Sequence, residues 1–525
     1  MGLLIIPILL VTFIVRVLPR FRIKYAYSGD TYGHFHISRA IRENKFRIPD
    51  KIPGVTLNHT HTYPYLYHLI LSVFTQGQRA VFERMSSALF DTVSVLVVYL
   101  FSGWISDSYL GNKFPGFALL AAGVYAIAPP LLMISRGPRA YRGTPRVFGQ
   151  TLYIIHITSF FYYYSTGEWA GLIVSILSAS LLFISAKFGV QVLVFFGIIF
   201  SIFLTWHYAV VIMLSYILIT ILSGGRVLRV TSGQVRYNEF YLRFAKAKGS
   251  MKGLATDWLE LKVFLSRLRR NTISLFKGKV LDFASWLFGE RYFLYFLIIA
   301  FPQVILLFFI FDKIDLQSPL SIFLWTWFWG SVICFFITSI SYVRFLGQGE
   351  RYLEYGLPSS IILSLYFLLN SGLDYIIIGF LIYSILVYII HVRIFIVLTK
   401  EKNDSYFEDN RIFEFLKSQE KGIVLPIHNE WEVLYKTQFP LLFYGSNVDM
   451  RKIPLEKFTS IYYNMHTPSP DLEKLVREYD VKYIFSTHNH LKEYLESVIL
   501  NKEMFYDLTD QIFESKNFIL YKVKS

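Results

Sequence analysis

Residues 83–102 read Glu-Arg-Met-Ser-Ser-Ala-Leu-Phe-Asp-Thr-Val-Ser-Val-Leu-Val-Val-Tyr-Leu-Phe-Ser. After Arg84 the only charge in this run is Asp91. A stretch this long and this apolar suits the hydrocarbon core of a bilayer, about 30 Å thick or roughly 20 helical residues. Working outward, similar segments lie near 86–106, 115–134, 147–165, 169–186, 188–205, 207–223, 291–312, 319–340, 354–370 and 373–397. Residues 1–18, broken only by Arg16, add a first helix and bring the expectation to about eleven spans. That first segment lacks a basic n-region and a small-residue cleavage site, so it reads as a retained helix rather than a signal peptide. The pair 188–223 holds Trp206, His207 and Tyr208 at its middle and reads as one bent helix or as two short ones.

Composition supports a polytopic α-helical membrane protein. Of 525 residues, 54% are hydrophobic, 18% aromatic and 17% charged, whereas soluble chains carry about 25% charged residues. The charges are segregated into a few loops. These features exclude a soluble enzyme, a secreted disulfide scaffold and a disordered chain. Cys334 is the single cysteine, so neither an internal disulfide nor a cysteine zinc site is available. The net charge of +15 fits basic loops facing lipid headgroups, or a site for a phosphate-bearing lipid. Nucleic acid is not an expected partner.

Two domains are expected. Residues 1–400 form the transmembrane domain, including a polar loop at 19–85 and a basic region at 224–290. Within the latter, 256–275 looks amphipathic, as a segment lying along a membrane surface would. Residues 401–525 read as a small C-terminal α/β domain, with strands at 422–427, 481–486 and 518–523. A helix is expected over 468–479, opened by Ser469 and Asp471, with Leu472, Leu475 and Val476 on one face.

With eleven spans, the loop 19–85, the loop 135–146, the region 224–290, the turn 341–353 and the tail all fall on one side. The positive-inside rule alone makes that side cytoplasmic, although long loops follow the rule poorly. One span at 188–223 would instead move the tail and 341–353 to the opposite face from 19–85.

The first loop opens Tyr27-Ser28-Gly29-Asp30-Thr31-Tyr32-Gly33-His34-Phe35-His36 and ends His59-Thr60-His61-Thr62-Tyr63-Pro64-Tyr65-Leu66-Tyr67-His68. A helix over 31–44 would place His34 one turn from Asp30 on the same face. Asp30 reads two ways. A partly desolvated carboxylate at a membrane boundary can act as a general base, and Gly-Asp-Thr ahead of a helix is also good capping chemistry. Asp91 sits in an apolar run, where an ionisable residue is a candidate for function, and a helix dipole or a contact with Arg84 would also explain it; Lys187 and His207 read as lining a lipid-entry groove or as interfacial anchors.

The apolar first helix, the long loop with its early acid, Tyr63-Pro64-Tyr65-Leu66-Tyr67-His68, the run 83–102, Gly-Gln-Gly-Glu-Arg-Tyr-Leu-Glu-Tyr at 347–355 and Leu-Val-Arg-Glu-Tyr-Asp-Val-Lys-Tyr-Ile-Phe-Ser-Thr at 475–487 together resemble the GT-C class of membrane glycosyltransferases. That class uses polyprenyl-phosphate-linked sugars, and some members end in a soluble domain. The resemblance implies that Asp30 is the first-loop carboxylate that activates or orients the acceptor, or helps hold a metal. It implies that Arg351 is a late-loop arginine near the donor phosphate. A guanidinium fork suits a departing phosphate, while pairing with Glu354 or snorkelling to headgroups would also explain Arg351.

Arg136, Arg139, Arg142 and Arg146 lie in a loop, 135–146, that has no acidic residue. They read as a second anion contact or as headgroup ligands. The oligosaccharyltransferase branch is expected to carry a second acidic motif here for a metal. Its absence points to a metal-independent transferase of a single sugar, with no cofactor, and displacement in one step would invert the anomeric centre. His34, His61 and Tyr63 are read as partners of sugar hydroxyls or phosphate, and a zinc site built from His34, His36, His59, His61 and His68 is the lesser alternative. The expected partners are a polyprenyl-phosphate sugar donor, an unidentified acceptor and membrane lipids. The resemblance implies a cell-envelope enzyme of the cell membrane whose loop 19–85 and tail are extracytoplasmic, against the positive-inside reading. The alternative is a transporter or flippase for an anionic lipid or glycan, for which inverted repeats and midplane charges are expected.

Overall fold

Capping residues and prolines set where the apolar segments start and stop. Thr144 accepts from the Val147 amide at 3.4 Å, Pro145 opens the Pro145–Thr166 helix, and Gly167 closes it in the left-handed region at φ 76°. Ser318 and Pro319 open the Pro319–Ser339 helix in the same way. The computed structural model describes residues 2–24, 29–57, 60–111, 113–133, 143–247, 261–289, 293–311, 318–340, 343, 346, 349–443, 454–462, 468–469, 471–497 and 502–524. They divide into two units. One comprises Met1–Arg22, Phe82–Val227 and Met251–Leu398; the other comprises Ile23–Val81, Leu228–Ser250 and Thr399–Ser525.

The first unit is helical. Among the described residues, three helices are long and apolar enough to cross a membrane: Gln76–Tyr109, Pro319–Ser339 and Tyr375–Ser418. A bent pair, His207–Leu222 with Arg226–Phe240, raises the number to four if it counts as one span. Several segments read from sequence as single spans are broken. The segment 291–312 splits at Pro302 into Phe293–Ala300 and Pro302–Ile310, because proline cannot continue the ladder of the preceding turn. The segment 115–134 splits ahead of Pro129 into Phe117–Ala126 and Pro129–Leu132. The segment 354–370 divides at Gly356. The ambiguous 188–223 is two helices, Lys187–Phe203 and His207–Leu222.

Small residues let these helices approach closely. A Cβ on Gly171 would stand 2.8 Å from the Ser159 carbonyl oxygen, where Trp169–Phe183 packs on Pro145–Thr166. Aromatic stacking fills wider gaps, as between Phe161 and Phe323 with centroids 4.0 Å apart.

The second unit is built on a four-stranded sheet of β1 (Ile423–Ile427), β2 (Val481–Thr487), β3 (Thr509–Glu514) and β4 (Phe518–Val523), in the order β1-β2-β4-β3. β1 and β2 are parallel; the other pairs are antiparallel. The strands expected at 422–427, 481–486 and 518–523 are present. β3 is an addition, a polar edge strand whose Asp510 and Gln511 are exposed. The Leu472–Tyr479 helix starts at Asp471, whose carboxylate accepts from the Lys474 amide at 3.2 Å.

The first loop belongs to this unit because it completes the same core and the same sheet edge. Tyr32, Phe35, Ile37 and Ile41 are buried with Val424, Ile484, Phe485 and Leu520. Leu441 bridges both Val424 of β1 and Val55 of the first loop. The Thr56 amide donates to the Leu441 carbonyl at 3.0 Å, and the Leu441 amide to that of Gly54 at 2.8 Å.

Candidate functional site

In the second unit the candidate residues gather on the Gly29–Glu43 helix and on the start of Leu66–Val73. Asp30 is exposed and is the second residue of its helix. A carboxylate in the first turn is favoured by the helix dipole. Gly33, one turn on, lies flat against Trp431, and a Cβ there would come within 3.0 Å of the indole. His34 Nδ1 lies 2.9 Å from His68 Nε2, both rings buried. One of these nitrogens donates and the other accepts, so the two rings cannot both present protons to each other. Burial holds His68 well below the ordinary imidazole range, the His34 charge adds to this, and the Pro64 backbone opposes it.

Aromatic edges enclose the pair. Tyr67 meets His34 edge-on at 5.6 Å, and Tyr63 meets His68 at 5.6 Å. The fold thus groups His34 and Tyr63 around His68. His61 is buried, and its amide donates to the Asp50 carbonyl at 2.6 Å.

His36 is fixed by a different set of partners. Arg39 donates to its Nδ1 at 3.2 Å, so its proton is on Nε2, which donates to the Pro53 carbonyl at 2.8 Å. Burial lowers its pKa to about 4, partly opposed by the Pro53 carbonyl and reinforced by the Arg39 charge. A neutral, fully bonded ring is a structural element of the loop.

In the first unit, Arg351 lies on the short Glu350–Tyr355 helix with its guanidinium over the Phe188 ring, 5.5 Å from the centroid. A guanidinium over an aromatic face is attracted by the ring's quadrupole. Glu354, one turn on, is paired with Arg146 of the Pro145–Thr166 helix. The Glu354 carbonyl also accepts from Gln150 Nε2 at 2.8 Å. Arg146, read from sequence as one of four anion contacts, therefore has a carboxylate partner of its own. Arg136, Arg139, Arg142 and His59 lie outside the described residues.

Asp91 is buried and accepts from Arg16 Nε at 2.9 Å. Arg84, the partner expected from the sequence, stands over the Phe21 ring instead. Lys187 opens the Lys187–Phe203 helix. His207 is exposed, its ring centroid 4.2 Å from that of Trp206 and tilted by 31°, at the break between two helices, as an interfacial anchor would be.

Glu83 was not singled out from the sequence. One of its carboxylate oxygens accepts from Arg20 Nη2 at 2.8 Å and the other from the Gly143 amide at 2.7 Å. Its place in 83–102, at the boundary between polar loop and apolar run, is the only local signal.

Comparison with protein-family models and with curated proteins finds no match. Solved structures do share the fold. ArnT from Cupriavidus metallidurans in the apo state superposes with a TM-score of 0.56 at 9% identity, over 99% of this chain and 97% of that one. The same protein bound to undecaprenyl phosphate gives 0.53 at 10% identity, with the same coverage. The oligosaccharyltransferase AglB from Archaeoglobus fulgidus, in complex with an inhibitory peptide and a dolichol-phosphate, gives 0.52 at 12% identity over 92% of this chain and 69% of that one. The fold is that of the GT-C membrane glycosyltransferases.

Proposed function

We propose that the protein transfers a sugar from a polyprenyl-phosphate-linked donor to an acceptor hydroxyl at a membrane surface. The observation that carries this reading is the likeness in fold, over nearly the whole of both chains, to ArnT bound to undecaprenyl phosphate. Asp30 is assigned the general base. It would take the proton from the acceptor hydroxyl as that oxygen attacks the anomeric carbon, and a single displacement would invert the centre. Its exposure lets an acceptor reach the carboxylate, whereas the partial desolvation expected from the sequence is not seen.

Arg351 is assigned to the donor phosphate, where negative charge builds as the glycosidic bond breaks. Its guanidinium stands over the Phe188 ring, 5.5 Å from the centroid. Arg136 and Arg139 are assigned a supporting anion contact. His34, His61 and Tyr63 are assigned to hydroxyl or phosphate groups of the substrates. The acid-free loop 135–146 supports a metal-independent reaction. Use of polyprenyl-linked sugars would place the loop 19–85 and the tail on the extracytoplasmic side.

The test is sugar transfer by the full chain in lipid, with a panel of polyprenyl-phosphate sugars, beside Asp30→Asn and Arg351→Ala. Asp30→Asn is expected to lower turnover by about 10²- to 10⁴-fold with donor binding kept. Arg351→Ala is expected to weaken donor binding and turnover together. Transfer that survives Asp30→Asn unchanged returns Asp30 to a helix-terminal role. Activity that persists in a metal chelator supports the metal-independent reading.

A further inference from the structure

The Leu261–Phe276 helix and the turn after it carry charge of one sign. From Leu261 to Lys279 the sequence holds Lys262, Arg267, Arg269, Arg270, Lys277 and Lys279 and no acidic residue. One side of the helix is packed within its own unit, where the Phe264 ring lies 6.3 Å from Trp286 and 5.8 Å from Tyr295. The adjoining apolar edge is left in the open. Leu261, Leu265, Leu268 and Phe276 share one face by their spacing, and all four are exposed, Phe276 by 86%. On the other flank of this edge is a shallow groove of about 490 Å³, lined by Arg269, Arg270, Ser274, Lys277 and Lys279 among others.

An exposed apolar stripe beside a row of cations is the pattern of a helix lying in a bilayer interface. A second copy of the chain is a poor occupant, because six cations would face six. A free anion would satisfy the groove and leave the stripe in water. A ligand with both an anionic phosphate and acyl chains satisfies both.

We propose that this helix is a docking surface for anionic phospholipid. The side chains of Leu261, Leu265, Leu268 and Phe276 enter the acyl boundary, and Arg269, Arg270, Lys277 and Lys279 hold headgroup phosphates. Arginine forks and a serine hydroxyl suit phosphate oxygens, and each cation near an anionic surface contributes about 1 kcal/mol, or roughly fivefold in affinity.

The test uses the full chain, purified and reconstituted in phosphatidylcholine with or without phosphatidylglycerol. Cys334 is buried, which directs nitroxide labels to cysteines introduced as Leu268→Cys, Phe276→Cys or Arg270→Cys. Labels at 268 and 276 are expected to be more accessible to oxygen than to a water-soluble nickel chelate, with the reverse at 270. Restriction of a spin-labelled phosphatidylglycerol by the protein, relative to spin-labelled phosphatidylcholine, gives the preference for anionic lipid. The combined variant Arg269→Gln, Arg270→Gln, Lys277→Gln and Lys279→Gln is expected to lower it by at least about tenfold. An unchanged thermal midpoint and a single elution peak show that this variant is folded. If it is not, Lys277→Gln with Lys279→Gln, outside the helix, is expected to give a smaller loss in the same direction.

Equal water accessibility at all three labels overturns the proposal. So does an undiminished lipid preference in a folded variant, or dipolar broadening between labels at 276 that reports a second copy. Inorganic phosphate that displaces the labelled lipid at equal concentration also overturns it in favour of a simple anion site.

Discussion

Arg16 and Asp91 form a salt bridge in the interior of the helical unit, with Nε and Oδ2 2.9 Å apart and both side chains at most 1% exposed. The guanidinium also donates to the Ala126 carbonyl at 2.8 Å and the Thr12 carbonyl at 3.3 Å. One arginine thus ties the first helix to two others. Removing one partner strands a charge where no water can reach it. Asp91→Ala is expected to cost about 3–5 kcal/mol, read as a large fall in the thermal midpoint of the protein in detergent. The double variant Arg16→Met with Asp91→Leu should recover most of that loss; a double variant as unstable as the single would mean the pair does more than neutralise itself.

The His36 ring gives the second unit an acid limit. Its folded pKa, about 4, lies below the ordinary 6.5. Above pH 6.5 the ring is neutral in both states and its contribution is complete. As pH falls from 6.5 towards 4 the unfolded chain takes up a proton that the folded chain refuses, and stability declines, by about 3 kcal/mol at most. His68, lowered by the same cause, acts in the same direction. Thermal midpoints measured between pH 7.5 and pH 4.5 should fall over this window, and His36→Gln should flatten the decline. A slope that His36→Gln leaves untouched would assign the limit to other groups.

Asp409 clasps the β3–β4 turn to the long Tyr375–Ser418 helix. Oδ1 accepts from Ser515 Oγ at 3.0 Å and the Asn517 amide at 3.1 Å; Oδ2 accepts from Ser405 Oγ at 2.8 Å and Asn517 Nδ2 at 2.7 Å. Asp409→Ala leaves buried donors unmatched and is expected to cost about 2–4 kcal/mol. Limited proteolysis within 509–523 should be faster in this variant, and unchanged cleavage would show that the sheet holds the hairpin alone.

Gly171 sets how closely the Trp169–Phe183 and Pro145–Thr166 helices approach. Gly171→Leu is expected to cost about 1–3 kcal/mol by overpacking, and Gly171→Ala less than Gly171→Leu. The ranking can be read from thermal midpoints in detergent. Equal midpoints for all three proteins would mean that the pair separates without penalty.

The membrane class was legible because apolar runs are a local property. So were β1, β2 and β4, whose buried residues are continuous in sequence, and the helix opened at Asp471. β3 was not legible, since an exposed edge strand reading Thr-Asp-Gln-Ile-Phe-Glu lacks a hydrophobic pattern. Asp30 and His34 lie on one helix, so their relation could be read from spacing. The partner of His34 could not: His68 is 34 residues away, and only the return of the chain brings it there. The same holds for Arg16 with Asp91, 75 residues apart, and for Arg146 with Glu354, 208 apart. Charges separated by whole helices choose partners by packing, which periodicity does not report.

The Leu441 bridge has a consequence in time. Thr56 and Leu441 are 385 residues apart. At a synthesis rate of about 5–20 residues per second, the first loop waits roughly 20–80 s for the strand edge and core that complete it. During that interval Tyr32, Phe35, Ile37 and Ile41, all buried in the finished unit, have no core to enter. The order of synthesis therefore makes the last quarter of the chain the folding partner of the first loop, and a chain cut short before Leu441 would leave that loop as exposed apolar surface, a substrate for quality control rather than a shorter folded protein.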